Sequence, residues 1–150
     1  MSRIGDEQAQ VLEFAYATMA GSAELADALG TSPEALPYQL WPDVAPADTA
    51  GLFVVYSTTD ASDRNGIGGV PRLFSGVPLL VKITGATRSY DDLAPAARVL
   101  YRLFHGARNV PLTGGGMVLT CTRVGAVQYP ETAEGIEYRH LGHQLQVEVN

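Results

Sequence analysis

The chain has 150 residues, 46% of them apolar and 17% charged, which suits one domain built around one core. Its net charge of −6 argues against a protein that grips nucleic acid, because such a protein carries a basic face. No apolar run approaches the roughly 20 residues that cross a bilayer, which argues against a membrane helix. The acidic balance fits a surface that DNA slides past, and fits ordinary solubility equally well.

The polar, acidic start (Ser2, Arg3, Asp6, Glu7) has no secretory pattern, so a protein made and folded in a cytoplasm is expected. Residues 6–29 read as helical. Val11, Leu12, Ala15, Tyr16 and Met19 recur at three- and four-residue steps and share one face. Gly21 and Ser22 interrupt the run. Ser22 is a good N-cap for a short second helix, and Gly30 a good residue to end it. Residues 31–50 hold Pro33, Pro37, Pro42 and Pro46, a density that excludes regular elements. Leu36, Tyr38, Leu40, Trp41 and Val44 predict that this stretch packs down as an ordered, extended loop.

Residues 52–59 are β-branched and aromatic and form the clearest strand. Residues 60–76 read as a long polar loop, and residues 78–85 as a second strand. A second main helix is expected from about 91 to 105, with Leu93, Ala96, Ala97, Leu100, Leu103 and Phe104 as its apolar stripe. Asp91 or Asp92 would cap its start. Gly114, Gly115 and Gly116 make a turn into a third strand, residues 117–124. After a polar turn at 130–135 comes a fourth strand, residues 136–149. Its apolar positions shift from even (Ile136, Tyr138) to odd (Leu145, Val147, Val149), which predicts a bulge at Gly142. The order helix, loop, strand, strand, helix, strand, strand predicts an α+β two-layer sandwich. It would have about four strands, antiparallel or mixed, with two main helices on one face.

Chemical motifs are sparse. Gly66, Ile67, Gly68 and Gly69 lack the Lys-Ser/Thr ending and following helix of a phosphate loop, and read as a simple loop. His140 and His143 are three apart, so on a strand they face opposite sides and do not share a metal. Cys121 sits among apolar and Thr residues with no nearby base or helix start, and reads as a small buried filler. A Cys121–histidine pair on neighbouring strands is a weaker alternative. No cofactor and no catalytic residue are expected.

Several stretches resemble, in order and spacing, the tail terminator and minor tail proteins of long-tailed bacteriophages. Residues 23–30 (AELADALG) look like the family's small-residue helix end. Ala45-Pro46 followed by Leu52-Phe53-Val54-Val55-Tyr56 resembles its turn into the first strand. Residues 79–85 running into 93–106 resemble its second strand and second helix, and residues 134–149 its closing strand. The resemblance covers the chain from about Asp6 onward, with least agreement in residues 60–76.

The resemblance implies a virion structural protein at the head-proximal end of the tail. It would be a homohexameric ring that caps the tail tube, ends its polymerisation and meets the head connector. DNA would pass through the hole without specific binding. The partners implied are further copies of the chain, the tail tube protein and the head-completion or connector protein. The alternatives are a head-closure or other neck protein and, in a different class, a small-molecule-binding or enzymatic α+β domain. A closed ring needs two unlike patches. Arg98, Arg102 and Arg108 are expected as a basic stripe on the second helix, and Glu131, Glu134 and Glu137 as an acidic patch at the last turn. Arg64, Arg72 and Phe74, in the long loop, are expected to touch a neighbouring subunit or the tube.

Overall fold

The computed structural model describes residues 6–59, 61–65 and 72–150. Helix α1 (Glu7–Ala20) buries Val11, Phe14, Ala15 and Met19, while Tyr16 turns outward. The buried stripe thus runs through Phe14 rather than Tyr16. Gly21 ends α1, and Ser22 caps α2 (Ala23–Ala28), its hydroxyl accepting from the Leu25 N–H at 3.1 Å. Gly30 follows with φ +74°, a value that glycine adopts freely.

The proline-rich stretch is more regular than its prolines suggest. Leu36–Gln39 forms a 3-10 turn and Leu40–Pro42 forms β1. Both are possible because Pro37 sits in the first turn and Pro42 closes an edge strand, positions where a missing N–H costs little. Leu36 and Leu40 are buried, whereas Tyr38 and Val44 are exposed.

The expected four-stranded sheet with two helices is overturned. Strands make up 43% of the protein, in a mixed sheet that curls into a half-barrel. Its main path is β1–β2–β4–β7–β6–β5, with β2 Phe53–Thr58, β4 Arg72–Gly85, β5 Arg108–Pro111, β6 Met117–Ala133 and β7 Ile136–Val149. The additional β3 (Ser62–Asn65) pairs with the start of β4, and β2 pairs with its end. Among the described strands, only β1 and β2 run parallel. Within residues 60–76, expected as a loop, residues 62–65 and 72–76 are instead paired strands, β3 and the start of β4, where Ser75 and Gly76 are buried. Asp60 and the stretch that includes Gly66, Ile67, Gly68 and Gly69 lie outside the described residues.

Helix α3 (Ala94–Phe104) starts later than expected. Ser89, not Asp91 or Asp92, caps the turn before it, and Leu93 is its N-cap residue. Helices α1 and α3 cover one sheet face and α2 packs on α3. Leu100 and Phe104 are fully buried there, with Phe14 meeting Phe104 edge to face at 5.7 Å.

The expected bulge at Gly142 is not found. The register of β7 on β4 is continuous from Arg139 to Val149. Irregularities fall instead on β6, one of them between Arg123 and Gly125. The shift of apolar parity has another cause. Odd positions Leu145, Val147 and Val149 face the helices, while even positions Ile136 and Tyr138 line a cleft on the opposite face. Glycine at 142 permits a close approach: a Cβ there would lie 2.1 Å from the Val81 carbonyl oxygen and 2.5 Å from Lys82 Cα.

Candidate functional site

The β6–β7 hairpin reaches past the end of β4. Beyond Arg123, β6 pairs with β7 alone among the described residues, but β4 backs β7 as far as Arg139, so only residues 131–133 and their partners 136–138 run out as a short two-stranded arm. The turn at its tip is only Glu134 and Gly135, with φ of +53° and +80°, the signature of a type I′ turn. The polar turn expected over 130–135 thus shrinks to two residues. Val124 (63% exposed), Tyr129 (38%) and Ile136 (46%) leave apolar surface along the hairpin. The acidic residues follow: Glu131, Glu134 and Glu137 are all exposed around the tip. Glu131 bonds His140, and Glu137 pairs with Arg88 at 3.2 Å. No ion pair engages Glu134 among the described residues.

Further down the hairpin, a groove of ≈ 530 Å³ opens between it and α3. Ala94, Ala97, Ala126 and Gly142 keep it wide, and Arg98, Arg102 and Arg123 make it basic. Arg102 already meets Glu24 in an exposed ion pair. Arg98 and Arg123 have no carboxylate partner among the described residues. The Nε–H of Arg123 donates to His143 Nδ1 at 2.9 Å, and its guanidinium lies 5.9 Å from the Tyr101 ring centroid. Tyr101 stacks on His105 at 4.9 Å.

A carbonyl can only accept, so the 2.7 Å contact from His143 Nε2 to the Ala97 carbonyl puts the proton on Nε2. Nδ1 is then the acceptor for Arg123, and His143 is neutral. Burial lowers its pKa, the Ala97 carbonyl opposes that shift, and the Arg123 charge adds to it.

On the opposite face a cleft of ≈ 420 Å³ lies between the sheet and the 43–49 loop. His140 sits in its wall, buried between Thr84 (Oγ1 to Nδ1, 2.9 Å) and Glu131 (Nε2 to Oε1, 2.8 Å), with Tyr129 stacked at 4.2 Å. Lys82 Nζ donates to the Tyr129 hydroxyl at 2.5 Å. Burial lowers the His140 pKa, against the hydrogen bond to Glu131. The two histidines thus lie on opposite faces of β7, as strand alternation requires. Cys121 is sealed in the core, its thiol pushed up to about 12 by burial, and it faces Val147 rather than a histidine.

No family model matches this chain, and no curated protein sequence matches it either. Solved structures do resemble it in fold. A chain from the virion of a native gene transfer agent (GTA) particle superposes with a TM-score of 0.68, over 98% of this chain and 99% of that one. The two sequences are 18% identical, so the likeness is one of fold.

The other expected contact residues scatter. Arg98 and Arg102 share the α3 groove, but Arg108 lies on β5, exposed and outside the groove. It therefore does not continue the stripe of α3. Arg64 and Phe74 are cross-strand partners in the β3–β4 ladder, as are Asn65 and Arg72. Phe74 is half-buried, and the side chains of Arg64 and Arg72 lie outside the described residues. Arg123, Tyr101 and His143 were not singled out for the groove from sequence. The signal for Arg123 was weak, because a single Arg in a strand says nothing of which helix it will meet.

Proposed function

We propose that this chain is a structural component of a phage-like virion. Within that reading it is a tail terminator, a ring of identical copies that caps the tail tube and meets the head connector. DNA passes through the hole unbound. The observation that carries the reading is the match in fold, nearly end to end, with a chain from a gene transfer agent virion. A shared fold alone leaves function open, so the side chains matter too. The groups that could have served catalysis are held by structural partners: His140 by Thr84 and Glu131, His143 by Ala97 and Arg123, and Cys121 by core packing.

Electron microscopy of particles that lack this protein tests the reading. Abnormally long tails are the expected result. Tails of normal length, unattached to heads, would overturn the terminator role in favour of a neck protein. Normal, infectious particles would overturn a virion role altogether.

A further inference from the structure

We propose that the acidic tip of the β6–β7 arm of one copy docks in the arginine-lined groove between α3 and the β6–β7 hairpin of the next copy. This rests on the ring reading above and specifies its interface.

The groove and the tip are complementary in charge. The groove presents Arg98, Arg102 and Arg123, and its histidine adds no positive charge because its partners hold it neutral. The tip presents Glu131, Glu134 and Glu137, with Ile136 exposed beside them. Glu134 is the tip carboxylate with no ion pair among the described residues, and Arg98 and Arg123 are the matching groove cations. Tyr101, exposed at the groove wall, offers an apolar surface to Ile136.

The occupant must come from another copy. The groove includes Ala126, while the tip begins at Glu134 on the same strand. Eight residues of strand span about 26 Å, and a hairpin paired along its whole length does not fold back on its own base. Tip and groove are different surfaces of one chain, so their contact can propagate head to tail, as a ring requires. Reciprocal exchange between two copies would instead close a two-fold dimer, a mass that native mass spectrometry distinguishes from a ring and that would overturn the ring reading. The two-residue turn keeps the tip narrow, and the small side chains on the groove floor leave room for it.

Charge exchange tests the pairing. Arg98→Glu and Glu134→Lys are made singly and together, with Glu134→Asn as a variant that suits the positive φ of this turn and removes the charge. Circular dichroism checks folding, and native mass spectrometry and assembly on tail tubes read the ring. Each single charge reversal should raise the concentration needed for assembly about tenfold or more, and the double variant should recover much of that loss. Glu134→Asn should weaken assembly with its secondary structure intact. Rings from every single variant, or a double variant no better than the singles, would overturn the docking while leaving the terminator reading standing. A wild-type protein that forms no ring, alone or on tubes, would overturn both.

Discussion

The Nε–H of Arg123 donates to Nδ1 of His143 at 2.9 Å, and the far nitrogen of the same ring meets the Ala97 carbonyl at 2.7 Å. A guanidinium on one side and a carbonyl on the other admit only the neutral ring. The contact ties β6 and β7 to α3.

Acid should loosen this joint. The pKa of His143 is lowered in the folded protein, chiefly by burial, and so is that of His140. The unfolded chain therefore binds more protons as pH falls. The stability that the neutral rings contribute is fully present above about 6.5 and is lost as pH drops through the lowered folded-state values. The urea midpoint should be lower at pH 5 than at pH 7.5. His143→Gln, whose amide can donate to Ala97 and accept from Arg123, should keep the fold and show a weaker pH dependence. An unchanged pH slope in that variant would remove His143 from the account.

Gly142 should tolerate no side chain. Its Cβ would meet the backbone of β4 at Val81 and Lys82, where nothing can rotate away. Gly142→Ala should cost at least about 2 kcal/mol, measured by urea denaturation, because two paired strands would have to separate locally. Gly125→Ala is the control. There the nearest atom is the flexible end of Gln144 at 3.1 Å, and the change should cost much less.

Leu100 carries the packing of α3. It is fully buried, one turn from Phe104, whose ring meets Phe14 of α1. Leu100→Ala should cost about 2–5 kcal/mol by the same measurement. A cost below about 1 kcal/mol would mean that α3 is held by something other than its apolar stripe.

What could be read in advance follows from burial. Helices α1 and α3 and strand β2 declare themselves because each sends a stripe of apolar side chains into one core. The arm does not. Along residues 128–133 both faces are exposed, so there is no alternation to read, and Pro130 mimics a turn. The short edge strands β1, β3 and β5 hide for a related reason: each is set by pairing with a longer neighbour, not by its own pattern. The acidic patch at the tip was legible as charge in sequence. The groove was not, because it joins α3 to residues of β6 and β7 far along the chain, Arg123 to His143.

The β3–β4 hairpin should serve a different contact from the arm. Arg64 stands opposite Phe74, and Arg72 opposite Asn65, so the two arginines and the aromatic come from one small ladder. Phe74 is half-buried, and the ladder extends the start of β4, well away along the strand from Lys82, which stands opposite Gly142 of the groove. Arginine and aromatic side chains together are common anchors of protein interfaces. If the arm closes the ring, this ladder is free to meet the tail tube. Arg64→Glu with Arg72→Glu should leave circular dichroism and ring mass unchanged and should reduce the capping of tail tubes. Deleting residues 64–69 is a poorer test, because it removes two rungs of the ladder as well. A double charge reversal that dissolves the ring would place these arginines between subunits instead. One that alters neither ring nor capping would leave them no role at either contact.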